Sequence, residues 1–332
     1  MKRYTEKNQA MLPWPSLAQY GATLPLRGGN LFYYDTGKTG TESSGSPALI
    51  LIHGLGDEAD SWRHLIPLLA AGGFRIIAPD LPGFGRSNGR KPGGKMAHNA
   101  DSPWRGTYGI KAHARALIAL MEKTGAVSER NPAVLIGSSM GAMIAQIIAA
   151  KRPELARAIA LLDGCHPLSG KTDPGFLLMA LPFIGAKWYR GFRSNHEAAW
   201  RSLYGYYRDL DALGEEDKNF LRSRVIDRVE SGCQERAYFS SVRSLISFNI
   251  FGQKTFARRM KAYTGKKLVL WGEADRIMPF EKSARFRSLN PDAEVQLIRG
   301  AGHLPHQEAP GETAQALINW LAGIARSGER GN

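Results

Sequence analysis

The chain has 332 residues, 43% of them hydrophobic and 22% charged, with a formal net charge of +14. This composition is typical of a folded globular protein and excludes wholesale disorder. The sequence has no apolar run of about 18 residues, which a membrane span needs, and residues 4–9 are polar where a signal peptide is apolar. Two cysteines, Cys165 and Cys233, are too few for a disulfide framework or a zinc site. We therefore expect a cytoplasmic protein with reduced thiols.

Basic residues are spread along the chain, and the densest groups lie at 86–95, 187–201 and 258–267. No zinc finger, recognition helix or RNA-binding signature accompanies them, so we expect no nucleic-acid partner. The charge predicts a solvated basic face or, alternatively, weak association with an anionic membrane surface. The second interpretation would place the protein at the inner face of the membrane.

Residues 1–30 mix proline, glycine and polar residues with isolated aromatics, which predicts an N-terminal extension over the body. Beyond it, short apolar runs predict strands at 31–35, 48–52, 74–78, 133–136, 158–162, 268–271 and 295–298. Helical patterns predict helices at 61–71, 111–123, 140–151, 281–289 and 312–325. Strands that are apolar throughout are buried on both faces. Their alternation with helices predicts an α/β fold with a doubly wound, mostly parallel sheet.

Two segments interrupt this alternation. Residues 86–106 are polar and rich in glycine, so we expect a long surface loop there. Residues 164–266 show no strand pattern but many helix-compatible stretches that are rich in aromatics. We interpret them as a helical lid inserted between the predicted strands 158–162 and 268–271, which we take as the sixth and seventh strands of the core. The core would then comprise 31–163 and 267–332.

The sequence GSSMG at 137–141 has the form G-x-S-x-G. It lies directly after the predicted strand 133–136 and before the predicted helix 140–151, where a sharp turn needs small residues around a nucleophile. Such a turn presents the hydroxyl at the carboxyl ends of the strands, where open α/β sheets bind ligands. Ser139 is therefore the candidate nucleophile, although a plain Gly/Ser turn could have the same sequence.

A serine hydroxyl needs a base within hydrogen-bond reach and an acid that orients this base. In chain order the acid and then the histidine should follow the serine, each after a strand. Asp275 follows strand 268–271, and His303 follows strand 295–298. Asp163, at the end of strand 158–162, is the alternative acid, and His306 is the alternative base.

Acyl transfer also needs donors for the oxyanion that develops on the carbonyl. The glycine-rich sequence HGLGD at 53–57 follows strand 48–52 and would let the Leu55 amide face the nucleophile. The Met140 amide, at the N-terminus of a helix, is the second candidate donor. Leu55 and Met140 are thus the predicted oxyanion hole, and His53, Gly54 and Ser138 are expected beside the substrate.

Five motifs in this order resemble the α/β-hydrolase superfamily: HGLGDEADSW (53–62), APDLPGFGRS (78–87), GSSMG (137–141), WGEADRIMP (271–279) and GAGHLPHQEAP (300–310). The resemblance spans residues 31–325 apart from the insertion. It implies the α/β-hydrolase fold and a triad of Ser139, His303 and Asp275 that needs no cofactor and no metal. Epoxide hydrolases and haloalkane dehalogenases carry an aspartate where this chain has Ser139. The resemblance therefore favours small esterases, lipases and carbon–carbon bond hydrolases.

The first part of the insertion is dense in apolar side chains, among them Phe176, Phe183 and Trp188. These three residues are candidates to line a pocket for an acyl chain, although such a stretch could equally be core between lid and body. Basic residues beside them would also suit an interfacial helix on an anionic membrane.

Together these features predict a serine hydrolase that cleaves carboxylic esters of apolar acyl groups through an acyl-enzyme intermediate. Two alternatives stay open at this point. One is carbon–carbon bond hydrolysis of a dienoic diketone with the same triad, and the other is a ligand-sensing receptor on a hydrolase scaffold. The expected partner is a small ester or acyl substrate, bound by a monomer or a homodimer.

Overall fold

An eight-stranded β-sheet forms the centre of the protein in the computed structural model, which describes residues 11–26, 29–37, 46–87, 108–167 and 174–329. The strands are β1 (Gly21–Leu26), β2 (Gly29–Asp35), β3 (Leu49–Ile52), β4 (Ile76–Pro79), β5 (Ala133–Ser138), β6 (Ala156–Leu162), β7 (Lys266–Gly272) and β8 (Glu294–Ile298). They lie in the order β1-β2-β4-β3-β5-β6-β7-β8. The six strands from β4 to β8 in that order are mutually parallel, whereas β2 is antiparallel to both β1 and β4.

Helices cover both faces of the sheet. On one face lie α2 (Ile110–Lys123) and α3 (Met140–Lys151), and on the other lie α1 (Leu65–Ala71) and α12 (Pro310–Glu329). Two short helices, α10 (Ala284–Leu289) and α11 (Pro305–Glu308), connect the last strands to α12. Because of this cover, every residue of β3, β4 and β5 is buried. The predicted doubly wound α/β fold is confirmed, and each predicted core strand overlaps an observed one.

Between β6 and β7 the described part of the chain contains helices and no strand. They are α4 (Pro174–Met179), α5 (Pro182–Ser194), α6 (His196–Arg201), α7 (Glu215–Glu230), α8 (Gly232–Ser247) and α9 (Gln253–Ala262), with a π-helical turn at Phe248–Gly252. No helix in the described ranges is both long and apolar enough to cross a membrane. In α9, Phe256 and Met260 join the same buried cluster as α3. The last part of the insertion therefore packs on the body of the protein beside α3.

The N-terminal segment contributes directly to the body of the protein. Trp14 and Leu17 are buried around a 3-10 helix at Pro15–Tyr20. The following residues form the edge strand β1, which the sequence analysis did not predict. Pro25 and the neighbouring glycines read as a loop, yet an edge strand tolerates proline because one side of its backbone needs no partner.

The predicted surface loop at 86–106 lies mostly outside the described residues. Its first residue is described, and Arg86 is not a surface side chain. It is largely buried and pairs with Asp80 at 2.8 Å and with Asp60 at 3.2 Å. The expectation of an exposed loop is therefore wrong at this end, because two buried carboxylates hold the guanidinium inside.

Candidate active site

Ser139 occupies a sharp turn between β5 and α3. Its φ is +51°, a left-handed value that costs free energy for any residue with a side chain. A Cβ built on Gly137 would lie 2.3 Å from the carbonyl oxygen of Gly141, and one built on Gly141 would lie 2.0 Å from that of Ile52. Only glycine therefore fits on either side of the serine, as the motif requires. The turn presents Ser139 at the carboxyl end of the parallel strands.

The side chains of His303 and Asp275 complete a hydrogen-bonded chain that starts at Ser139. His303 Nε2 lies 3.1 Å from Ser139 Oγ, and His303 Nδ1 lies 2.8 Å from Asp275 Oδ2. Both side chains are buried, Asp275 on the turn after β7 and His303 on the turn after β8. The structure thus brings together the three residues that the sequence pattern singled out. The spacing suits transfer of the hydroxyl proton to the imidazole.

Backbone contacts hold the acid and the base in place. Asp275 Oδ1 accepts hydrogen bonds from the amides of Ile277 and Met278 at 2.9 and 2.8 Å, which leaves Oδ2 to face the imidazole. The His303 amide donates to the carbonyl of Tyr206, in the insertion, at 2.7 Å. This support from backbone groups preorganises the pair before a substrate binds.

Asp163, the alternative acid, lies beside this pair and makes no hydrogen bond to His303. Its Oδ1 accepts a hydrogen bond from the Gly272 amide at 2.7 Å. Burial and the neighbouring Asp275 carboxylate raise the pKa of Asp163 well above its ordinary range. Two adjacent buried carboxyl groups do not both ionise, so Asp163 is the protonated member. Asp275 is therefore the charged partner of the imidazole.

The side chains of Asp163, Asp275 and His303 together meet the distance requirement of a metal site. Ligand atoms of Asp163, Asp275 and His303 all lie within 4.8 Å of one another. Each ring nitrogen of His303 already faces a protein partner, however. An ion bound there would have to replace the contact to Ser139 or the contact to Asp275, so the geometry favours the triad.

The predicted oxyanion donors flank Ser139. Gly54 lies against the nucleophile, because a Cβ built on Gly54 would be 3.4 Å from the Ser139 Cβ, and Leu55 follows in the same turn. Met140 begins α3, and the first N–H groups of a helix have no acceptor within the helix. Both predicted donors therefore belong to segments that adjoin Ser139, with Leu55 one residue after Gly54 and Met140 directly after the serine.

Two of the predicted substrate-binding residues are inside the scaffold. His53 is fully buried, its Nδ1–H donates to the Gly54 carbonyl at 2.8 Å, and its Nε2 accepts from the Leu81 amide at 2.8 Å. With both ring nitrogens engaged, His53 shapes the turn and offers no free nitrogen to a substrate. Ser138 is also fully buried, in β5.

Two of the three predicted pocket-lining residues of the insertion face solvent. Phe183 is 88% exposed, and Trp188 is 47% exposed and packs edge-on against Phe192 at 4.6 Å between ring centroids. In this structure α5 turns these two side chains toward solvent, whereas the sequence analysis expected them in an acyl pocket or in the core. Phe176, on α4, is half-buried.

Two tyrosines of the insertion lie close to the site, and the sequence analysis did not assign them a role. The Tyr206 ring centroid is 5.9 Å from that of His303. The Tyr238 ring lies against the turn at 53–57, 3.4 Å from a Cβ built on Gly56. Because this turn carries Leu55, we call it the oxyanion turn. Burial raises the pKa of both phenols, so they are neutral. Aromatic density in the insertion indicated such a lining but could not say which rings supply it.

Buried ion pairs tie α7 to the same turn, and these were also missed. Arg228 donates to Glu58 at 2.7 and 2.8 Å, and Arg224 donates to Asp60 at 2.9 Å. Both carboxylates are completely buried. The sequence indicated these ion pairs only by acidic residues just after HGLGD and by arginines one helical turn apart. Neither feature identifies its partner.

The alternative base and the two thiols take no part in this geometry. His306 Nε2 lies 2.7 Å from Ser61 Oγ, and the ring packs on Trp62 at 4.2 Å. Burial lowers the pKa of His306 to about 3, so the ring stays neutral. Cys165 and Cys233 are buried thiols, and burial raises the pKa of the Cys165 thiol.

Comparison with known proteins gives a consistent family. The profile of the alpha/beta hydrolase family matches residues 49–316. Lipase 3 from Moraxella sp. (strain TA144) is 25% identical over 85% of this chain and 79% of its own length. A 2-hydroxy-6-oxononadienedioate/2-hydroxy-6-oxononatrienedioate hydrolase from Pseudomonas sp. is 23% identical over 84% of this chain and 89% of its own. A haloalkane dehalogenase loop variant from Bradyrhizobium elkanii shares the fold, with a TM-score of 0.70 and 21% identity over 93% of this chain and 98% of its own.

Proposed function

Since this chain belongs to the alpha/beta hydrolase family, we propose that it is a serine hydrolase that cleaves carboxylic esters of apolar acyl groups. The observation that carries the proposal is the 3.1 Å contact between Ser139 Oγ and His303 Nε2, with Asp275 on the other ring nitrogen. The fold itself hosts several hydrolytic reactions, so the reacting groups must select among them. A serine nucleophile with a histidine base favours an acyl-enzyme route.

In the first half-reaction the acyl group moves to Ser139. His303 takes the hydroxyl proton as Ser139 Oγ attacks the ester carbonyl carbon, and Asp275 stabilises the imidazolium. The amides of Leu55 and Met140 donate to the carbonyl oxygen as it gains negative charge. The alcohol then leaves with the proton from His303, and the acyl group remains bound to the serine oxygen.

In the second half-reaction water replaces the alcohol. His303 removes a proton from the water as its oxygen attacks the acyl carbon, and the same two amides hold the oxyanion. Collapse of the intermediate returns the proton to Ser139 Oγ and releases the carboxylic acid. The free enzyme is restored without a cofactor.

The surroundings of the triad favour an apolar acyl group. The rings of Tyr206 and Tyr238 lie next to His303 and the oxyanion turn. Burial of an acyl chain against such rings contributes about 0.8 kcal/mol for each methylene removed from water. The nearby Arg228 is already paired with Glu58, so it offers little to a charged substrate.

Carbon–carbon bond hydrolysis of a dienoic diketone is the second candidate, and similarity to the Pseudomonas hydrolase favours it. A substrate of that kind, a dioate, would bring a second carboxylate into the site and would need a free cation there. In the described part of the insertion, the arginines that reach the oxyanion turn are Arg224 and Arg228, and both are paired with carboxylates. This pairing makes the ester the better candidate.

The test is hydrolysis of nitrophenyl esters of increasing acyl length by the wild-type protein and the Ser139→Ala variant. We expect a length optimum, and a loss of at least about 10³-fold in kcat for the variant, because the acyl-enzyme cannot form. The matched control is Ser288→Ala, an exposed serine on α10 whose hydroxyl bonds only to the Arg285 carbonyl. Serine-independent turnover would overturn the triad. Turnover of a diketone with none of any ester would select the second candidate.

A further inference from the structure

Large apolar side chains are concentrated on one exposed surface of the insertion. Six of them lie in α4, α5 and the turn between these helices, and two lie in the π-helical turn after α8. We call this set the apolar ridge; it consists of Leu177, Leu178, Leu181, Phe183, Ile184, Trp188, Ile250 and Phe251. Phe183 is 88% exposed and Phe251 is 82% exposed. Exposure of such rings to water costs free energy, and a patch of this kind usually marks a site of interaction.

Helix packing places both parts of the ridge toward the same end of the insertion. Arg193, at the end of α5, pairs with Glu235, near the start of α8, at 2.6 Å. Gly185, near the start of α5, lies against Phe239 in the middle of α8, 2.7 Å from a built Cβ. The two helices are therefore antiparallel. The start of α5, with α4 before it, lies toward the end of α8, where the π-helical turn begins.

The chain that carries the ridge is rich in cations and free of acids. Residues 174–196 contain three lysines or arginines, and residues 236–272 contain eight, with no aspartate or glutamate in either stretch. Beside α8, the side chains of Lys111, Arg115 and Arg243 line an open cleft between α2 and α8, whose lining has no acid. Glu235 pairs with Arg190 and Arg193, and Asp292 pairs with Lys267. In the described part of the chain no ion pair reaches the three cations of the cleft, and burial together with the like charges of Lys111 and Arg115 lowers the pKa of the neighbouring Lys151.

We propose that the apolar ridge and these cations dock the protein on the surface of an anionic lipid bilayer. Protruding phenylalanine, leucine and tryptophan side chains enter the boundary between headgroups and acyl chains, and lysine and arginine bind the anionic headgroups. Lys187 shares the solvent face of α5 with Phe183 and Trp188, so both contacts form in one orientation. A protein partner would need deep hollows for single rings as well as a matching acidic face.

Docking does not depend on the proposed ester hydrolysis. The ridge side chains are exposed and apolar, and the hydrogen bonds that link Ser139, His303 and Asp275 involve none of them. The Ser139→Ala variant should therefore bind vesicles as the wild type does. Failure of docking and failure of the proposed activity are thus separate results.

The test is co-sedimentation of the full chain with phosphatidylcholine vesicles that contain phosphatidylglycerol, and with phosphatidylcholine vesicles alone. We expect binding only to the anionic vesicles, and its loss in about 0.5 M salt, where screening is strong. A double variant, Phe183→Ser with Phe251→Ser, should bind at least roughly tenfold more weakly than the wild type, because two apolar anchors are removed. The matched control is Leu289→Ser, which changes an exposed apolar residue outside the ridge.

Circular dichroism and thermal unfolding check that each variant is folded. Equal binding to neutral vesicles, or unchanged binding by the folded double variant, would overturn the proposal. So would the absence of binding to either vesicle. Analytical ultracentrifugation without lipid supplies the last outcome: a dimer that dissociates in the double variant would assign the ridge to a second copy of the chain.

Discussion

The two halves of the insertion are attached to the core in opposite ways. Helix α7 is joined to it by buried charges: Arg228 with Glu58, Arg224 with Asp60, and Asp217 with Arg63 at 2.7 Å. Helices α4 and α5 instead present large apolar side chains to solvent. In the described part of the chain, their ion pairs reach only α8, through Glu235.

Because of this difference, one half of the insertion is fixed to the core and the other half is free to move. Breaking a buried ion pair strands a charge in the interior, which costs several kcal/mol, whereas exposed apolar contacts rearrange at little cost. The α7 half therefore supports the turn that carries Leu55, and the Tyr206 carbonyl before it supports the His303 loop. We expect that any movement that admits a substrate comes from α4 and α5.

The largest expected effect concerns the acid that serves the supported His303 loop. Asp275→Asn should lower kcat on the order of 10⁴-fold, because the amide no longer stabilises the imidazolium or the required tautomer. Asp163→Asn should stay within about tenfold of wild type, since the neutral amide replaces a protonated carboxyl of similar shape. Steady-state kinetics on one nitrophenyl ester compares the two. If Asp163→Asn is as damaging as Asp275→Asn, the assignment of the charged partner is wrong.

The next effect tests the support itself. Arg228→Met should reduce the free energy of unfolding by about 3–5 kcal/mol, because Glu58 and Asp57 are left buried without their cation. Urea unfolding measures this loss, and adding Glu58→Gln should recover part of it by removing one stranded charge. Arg190→Met is the control from the other half, where the Arg190 side chain is exposed and Glu235 keeps Arg193 as its partner, so no measurable loss is expected. Equal losses in both variants would remove the distinction between the halves.

The smallest effect is a pH dependence at the start of α7. Burial opposes ionisation of Asp217, but His64 and Arg63 outweigh it and lower the pKa of Asp217 to about 2 from its ordinary 3.8. The folded state thus binds this proton less readily than the unfolded state. The resulting stability is complete above the unfolded pKa and disappears as the pH falls through about 2.

Asp217→Asn should therefore cost about 1 kcal/mol at neutral pH, after allowance for partial exposure, and nothing at the acid end. Urea unfolding at several pH values measures the difference between the two proteins. The control is Glu216→Gln on the same helical turn, which is exposed. A constant difference across the pH range would show that Asp217 acts through packing.

Local constraints made much of the site predictable from the sequence. Gly137 is required because a Cβ built on it would lie 2.3 Å from the Gly141 carbonyl oxygen, so the motif itself indicates the turn. Short apolar runs indicate the central strands β3, β4 and β5, which are covered on both faces, whereas the edge strand β8 has a similar run and is largely exposed. The order of serine, acid and histidine indicates the strands that they follow. These features survive in a single sequence because each depends on residues that are neighbours in the chain.

Contacts between distant segments decided the rest. Asp163 and Asp275 both follow core strands, and only their distances to His303 and Gly272 separate the charged acid from the neutral one. Arg224 and Arg228 pair with carboxylates that lie some 170 residues away in sequence, at 58 and 60. No local pattern encodes such a partner.

The aromatic stretch of α5 shows that a local sequence pattern also fails to predict the burial of apolar side chains. Its composition is equally compatible with a pocket, a core or an exposed face. The orientation was decided by Gly185 and Tyr189, which pack against Phe239 of α8 and turn Phe183 and Trp188 outward. The sequence determined which residues are apolar and where the backbone turns. Tertiary structure decided which of them are buried or paired, because burial and ion pairing depend on segments that meet only in the folded chain.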